Sequence, residues 1–219
     1  MSRPLAVFDV DGTLVDSRTI IQRAMIRAFE HIDRPPPDYD TTRQIVGLNL
    51  REALDALAPG LPEPGRQALT KAYGEAFVAL HEELGEPLYP GAAELLDRLR
   101  GEGWLVAMAT GKSRRGVERI MRTHGWADLF DSTHCADDGP GKPHPAMLVE
   151  CMKVLQTPQS MTVMIGDTSH DMRMARAAGV RAQGVAWGFH TAEEVAGAGA
   201  DHVALTFDEL SAELDRFAA

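Results

Sequence analysis

Asp9-Val10-Asp11-Gly12-Thr13 sets two carboxylates two residues apart, directly after the apolar run Leu5-Ala6-Val7-Phe8. Alternate residues of an extended chain point the same way, so Asp9 and Asp11 converge on one site if the strand stays extended up to Gly12. Two unpaired carboxylates at a buried strand end repel each other and are costly to desolvate. A divalent cation relieves both costs, and oxygen ligands at a strand end suit magnesium. The same residues also read as a polar strand end entering a turn, because Asp and Gly are common turn residues.

Three further groups weigh on that choice. Ala109-Thr110-Gly111-Lys112-Ser113 follows the apolar run from Trp104. A hydroxyl, a glycine and a helix start can hold an oxyanion through Thr110 Oγ1 and backbone N–H groups, or form an ordinary helix start capped by Ser113. Gly139-Pro140-Gly141-Lys142-Pro143-His144-Pro145 is a stiff turn that fixes where Lys142 sits. A lysine is a compact point charge suited to phosphate, although most lysines are simply solvated. The run Met161 to Ile165 ends in Gly166-Asp167, and Asp171 follows four residues later. Asp167 can reach a metal shared with the first strand, while Asp171 can interact with the helix N-terminus.

The elements that must position these groups alternate. Leu5–Val10, Trp104–Thr110, Met161–Ile165 and Ala182–Trp187 read as buried strands, with weaker candidates at Ser132–Ala136 and His202–Leu205. Between them lie helical stripes such as Val117, Ile120, Met121 and His124, and Met147, Leu148, Cys151, Met152 and Leu155. Strands alternating with helices predict an α/β fold: a Rossmann-like parallel sheet with helices on both faces. Right-handed crossovers put the strand C-termini along one edge, beyond which such sheets bind ligands.

The alternation stops between about Asp16 and Leu88. Three helical patterns fill the gap: Ile21 to Ile32, Leu50 to Leu57, and Leu69 to Leu80. Proline clusters at 35–37 and 59–64 separate them. The division expected is a core of residues 1–16 and 89–219, with a small inserted α-helical domain at 17–88. Its apolar stripes are read as core faces.

Composition narrows the partners. The chain has 219 residues, 44% hydrophobic and 25% charged, with a formal net charge of −10. That balance argues against a nucleic-acid surface, yet a local metal and a few cations can still hold a small anion. No run approaches the ~20 apolar residues of a membrane span, and no signal-peptide pattern precedes the first strand. Cys135 and Cys151 form no disulfide framework or metal spacing. A cytoplasmic protein with reduced thiols is the expectation, with Cys151 in the core.

Taken together, Asp9-x-Asp11-Gly12-Thr13, Thr110, Lys142-Pro143 and Gly166-Asp167-x-x-x-Asp171 resemble the motifs of the haloacid dehalogenase superfamily. The inserted helices look like its small C1-type cap. The stretches Gly184-Val185-Ala186-Trp187-Gly188 and Gly199-Ala200-Asp201-His202 resemble, more loosely, the phosphoglycolate phosphatase-like branch. The resemblance implies a magnesium-dependent phosphatase acting on a small phosphate monoester, phosphoglycolate-like as the best specific guess. Asp9 is then the nucleophile and Asp11 the general acid and base. Asp9, the Asp11 backbone carbonyl and Asp167 hold Mg2+, and Asp171 orients those ligands or Lys142. Gly12, Thr110, Gly111 and Lys142 bind the phosphoryl group.

One departure stands out: many relatives have Asn where this chain has Gly111. Lys112, Ser113 and Arg114 are candidates to compensate, or else solvated and capping residues. An acidic residue at Asp11 argues for phosphate chemistry rather than carbon–halogen cleavage, whose leaving halide needs no proton. Lys71, the single lysine of the insertion, lies too late in it for the Schiff base of phosphonate-cleaving relatives. In the cap, Arg43, Asn49 and Arg51 are the candidate contacts for a substrate's polar tail. A sugar phosphomutase with the same core motifs and a non-catalytic binding module are the alternatives. The expected partner is a small phosphorylated metabolite, with no nucleic acid or membrane, on a monomer or homodimer.

Overall fold

The computed structural model describes residues 3–219. Six strands form one parallel sheet: β1 (Leu5–Phe8), β2 (Leu105–Ala109), β3 (Ser132–His134), β4 (Thr162–Gly166), β5 (Arg181–Val185) and β6 (His202–Ala204). Their order is β3-β2-β1-β4-β5-β6. The chain therefore reverses its direction of travel across the sheet between β1 and β4. In open α/β sheets such a switch opens a crevice beyond the strand C-termini. All six expected strands are present. β4 is displaced by one residue from the apolar run that announced it, and the others are shorter than theirs.

Helices α1 (Arg18–His31), α2 (Tyr39–Arg43), α3 (Leu50–Leu57) and α4 (Glu63–Leu84) all fall between β1 and β2. The remainder are α5 (Ala92–Gly101), α6 (Arg114–His124), α7 (Ala146–Leu155), α8 (Ser169–Ala178), α9 (Ala192–Gly197) and α10 (Phe207–Ala218).

Every side chain of β1 is buried, as a central parallel strand requires. Ala6 and Phe8 face one layer with Leu96 and Leu99 of α5, Ile120 of α6 and Leu210 of α10. Leu5 and Val7 face the other with Leu148 and Cys151 of α7, Met172 of α8 and Val195 of α9. Side-chain alternation along one strand thus builds two cores. Cys135 and Cys151 are both buried free thiols.

The inserted helices have their own apolar centre. Met25, Ala28 and Phe29 of α1 meet Leu54 of α3 and Leu69 and Ala72 of α4. A second cluster joins Ile20, Ile21, Phe77 and Leu80 to Phe189 of the sheet domain. The insertion has four helices rather than three. The short α2 carries no long apolar stripe, and it starts because the Asp38 side chain accepts a hydrogen bond from Thr41 N.

The two connections to the insertion run side by side. Asp16 N donates to Pro87 O at 2.9 Å and Tyr89 N to Leu14 O at 3.0 Å. Val15 bridges both Asp11 and Leu88.

Candidate active site

The register places the motifs on one edge. Phe8 pairs with Met108 of β2 and with Ile165 of β4. Asp9, Thr110 and Asp167 each leave the C-terminal end of one of three adjacent strands. After Asp9 the chain turns sharply: Val10 O accepts from Thr13, Leu14 and Val15 N–H groups at 3.0 to 3.2 Å. Gly12 sits in that turn at φ +83°, where a β-carbon would also overlap the Asp167 carboxylate. Only glycine meets both demands. Its N–H donates to Val15 O at 2.9 Å, so the turn itself uses the donor expected to face the phosphate.

Asp9 is buried, and its Oδ1 lies 2.7 Å from Lys142 Nζ. Lys142 is fully buried too and reaches Asp171 Oδ1 at 2.6 Å. Asp171 is fixed in turn, because its Oδ2 accepts from Thr168 N at 3.1 Å and Thr168 Oγ1 at 2.6 Å in the capping box that opens α8. Asp171 therefore both starts a helix and aims Lys142 at Asp9. Asp167 accepts from Thr13 Oγ1 at 2.9 Å and from Phe189 N at 2.8 Å.

The charges do not balance. One carboxylate oxygen from each of Asp9, Asp167 and Asp171 lies within 4.8 Å of the others, against the single Lys142 cation. Burial pushes the Asp9 carboxyl up to about 7, against the pull of Lys142. It raises Asp167 well above the usual carboxylate range, with Asp9 and Asp171 adding to the effect. Burial disfavours the Lys142 cation, but Asp171 and Asp9 hold its pKa above the ordinary lysine value. Asp9 Oδ2 has no hydrogen-bond partner among the described residues. A divalent cation held by Asp9 and Asp167 fits this donor set: Asp167 is bonded only to neutral donors, whereas Asp171 Oδ1 is already paired with the Lys142 cation.

A second network flanks Asp11. Lys112 Nζ lies 2.9 Å from Asp11 Oδ1 and 3.0 Å from Glu86 Oε1. Glu86 is buried in the returning linker and pairs through Oε2 with His81 Nδ1 at 2.9 Å. Lys112 thus ties the edge of the insertion to Asp11. Glu86 carries no sequence signal: it is one acid among many before a proline. Ser113 caps α6 by accepting from Gly116 N, and Arg114 pairs with Asp138 and Thr133. Neither replaces the missing Asn. Thr110 is buried, with its Oγ1 accepting from Lys112 N at 3.2 Å.

The absence of a side chain at position 111 has a steric cause. A β-carbon on Gly111 would lie 2.5 Å from Leu48 O and 2.8 Å from Gly47 O. The loop between α2 and α3 occupies the volume an Asn would need.

Asp9, Asp11, Gly111 and Lys112 open into a cavity of about 410 Å³ beneath the inserted helices. Arg43, Asn49 and Arg51, expected to reach a substrate, are not among its lining residues. Arg43 instead grips Glu194 of the sheet domain at 2.7 and 3.2 Å. Gln44 Nε2 joins the same carboxylate at 2.7 Å, and His170 Nε2 meets Gln44 O at 3.0 Å. Arg43 latches the insertion to the sheet domain. Asn49 caps α3 through Glu52 N. Arg51 is 73% exposed beside Glu63. The spacing that makes these residues look like substrate contacts is that of helix ends. Lys71 is exposed beside Glu75. The residues missed were Tyr73 and Phe77, which line the cavity from α4 although their stripe reads as core.

Residues 6–185 match the model of the haloacid dehalogenase-like hydrolase family. The chain is 34% identical over 214 residues to a protein of Dickeya dadantii named probable phosphatase IndB, covering 95% of this chain and 92% of that one. It is 29% identical to a phosphoglycolate phosphatase of Colwellia psychrerythraea, covering 98% of each. The crystal structure of a hydrolase from Pseudomonas syringae superposes with a TM-score of 0.89 at 24% identity, covering 99% of this chain and 100% of that one. The chain belongs to the haloacid dehalogenase-like hydrolase family.

Proposed function

We propose that this haloacid dehalogenase-like hydrolase is a magnesium-dependent phosphatase that cleaves a small-molecule phosphate monoester through an aspartyl phosphate on Asp9. The observation that carries the reading is the buried Asp9–Lys142–Asp171 chain, which aims one carboxylate into a cavity that also admits Asp11. Asp9 attacks phosphorus, and the bond from phosphorus to the ester oxygen breaks. Asp11 gives its proton to the leaving alkoxide. Asp11 then takes a proton from the water that attacks the aspartyl phosphate, and Asp9 is released with inorganic phosphate.

Lys142 neutralises charge near the transferring group, and buried charge–charge contacts of this kind act strongly because water is excluded. Thr110 and the adjoining amides are the remaining phosphoryl contacts. The Asp9 and Asp167 carboxylates and the Asp11 carbonyl would hold magnesium, which when bound would supply charge stabilisation at the phosphoryl group and favour the ionised Asp9 carboxylate. The relatives named phosphoglycolate phosphatases support phosphate chemistry, and they make phosphoglycolate the first ester to assay.

The test is inorganic phosphate release from a panel of monoesters containing phosphoglycolate and 4-nitrophenyl phosphate, with magnesium and with chelator. Magnesium-dependent release, lost in Asp9→Asn, is the expected outcome. An isomerised sugar phosphate without phosphate release identifies a mutase instead. No conversion of any ester by folded protein identifies a binding module.

A further inference from the structure

If the chain is the phosphatase proposed from Asp9 and Lys142, the lining of the cavity selects the alcohol half of the ester. Its inserted-helix walls are mainly apolar: Ile21 and Met25 from α1, Leu48 and Leu50 from the loop and start of α3, and the Tyr73 and Phe77 rings from α4, with the hydroxyls of Thr70 and Tyr73 as the polar groups. Phe77 is held as a fixed surface, with Lys112 Nζ and the Arg119 guanidinium each 5.1 Å from its ring centroid.

Among the described residues, no cation of the inserted helices lines this cavity. Arg18 is committed to Asp16, Arg23 and Arg27 to Glu83, Arg43 to Glu194, Arg66 to Asp55, and Lys71 to Glu75. On the sheet side, Lys112 is paired with the buried Glu86 at 3.0 Å and touches Asp11 at 2.9 Å. Of the two arginines that α6 gives to the wall, Arg119 lies against the Phe77 ring with its Nε unpartnered among the described residues, and Arg115 is exposed. A two-carbon carboxylate attached to the phosphate would leave the apolar surfaces of α1 and α4 unfilled, whereas each CH₂ buried against them is worth about 0.8 kcal/mol. The volume of about 410 Å³ falls in the range of small-molecule pockets, about 300–1,000 Å³.

We infer that the substrate is a phosphate monoester whose alcohol carries an apolar group of about ring size, seated between α1 and α4. Phosphoglycolate is then a poor substrate of this chain.

Ethyl, butyl, hexyl and benzyl phosphate all leave as primary alkoxides, so they compare the group and not the leaving chemistry. kcat/KM is expected to climb about fourfold per methylene from ethyl to hexyl, the factor for burying one CH₂. Hexyl and benzyl phosphate should both exceed phosphoglycolate. Phe77→Ala and Met25→Ala should each lower the hexyl-to-ethyl ratio of kcat/KM, with circular dichroism and a cooperative thermal transition reporting that the variant is folded.

Calorimetric binding of hexylphosphonate against phosphonoacetate, with magnesium, needs no variant. Tighter hexylphosphonate supports the inference even if no ester is hydrolysed, in which case the phosphatase reading alone has failed. Phosphate release that is flat across the alkyl series, or fastest from phosphoglycolate, overturns the inference and leaves the phosphatase standing. Equal binding of the two phosphonates overturns it as well.

Discussion

Replacing Gly111 by Ala is the sharpest single perturbation this structure offers. The backbone there is ordinary, so any cost is steric. The new β-carbon starts 2.5 Å from Leu48 O, whereas an ordinary carbon–oxygen contact is about 3.3 Å. The loop has to retreat by about 0.8 Å, and forcing an extra carbon into a packed contact costs about 1–3 kcal/mol. That cost falls on the contact between the inserted helices and the sheet domain, not on either hydrophobic core. The closed arrangement over Asp9 and Asp11 should lose about 5- to 150-fold in population. Steady-state assays should show kcat/KM for the best ester falling by a factor in that range, with the thermal midpoint moving by only a few degrees. Gly111→Asn should fall further. Gly101→Ala is the control: it lies at the end of α5 with open space around it. It should leave activity alone. A Gly111→Ala enzyme with unchanged kcat/KM, and with Leu48 in its present place, would refute the claim that the loop's approach over residue 111 serves turnover.

Asp167→Asn removes a buried charge that the protein does not compensate. In chelator it should raise the thermal midpoint by several degrees, while the rise that magnesium gives the parent protein disappears; scanning calorimetry reads both. Asp9 has its folded pKa raised from 3.8 to about 7, so the native state holds a proton that the unfolded chain has released between those values. Its contribution to stability is therefore present below about pH 4 and lost as pH rises through 7; denaturant midpoints in chelator should fall from pH 5.5 to pH 8, and magnesium should flatten the dependence. Arg43→Ala breaks a two-pronged contact with Glu194 that is partly exposed, worth about 1 kcal/mol; kcat/KM should drop severalfold, more at low than at high ionic strength.

Much of this was legible in the residues. Strands that alternate with helices impose a parallel sheet, and Asp9, Thr110 and Asp167 could be placed at strand ends because apolar runs stop there. Lys142 was legible through its prolines and glycines, which fix a turn, and the family resemblance offered Asp171 as the residue that orients either Lys142 or the metal ligands. The cavity was not legible. Tyr73 and Phe77 share a helical stripe with residues such as Leu69 and Leu80, which are fully buried, and periodicity reports the apolar face without saying whether protein or ligand meets it. Arg43 failed for the converse reason: a cation near a candidate site has no address until the fold brings Glu194 to it. Gly111 reads as a loss of an amide, and only the neighbouring loop turns it into a requirement for space.

The hydrogen bond from Asp16 to Pro87 has a consequence for how such a molecule can diversify. To the sheet, everything from residue 17 to residue 86 is a detour that departs and returns at one point. A different set of helices spliced between those positions needs no change of strand register and no new order of crossovers. Asp9, Asp11 and the buried Lys142 stay where they are, while the helices that wall the cavity are exchanged as a cassette. Chimaeras cut at these two residues are the natural route to new leaving-group preferences on an unaltered reaction.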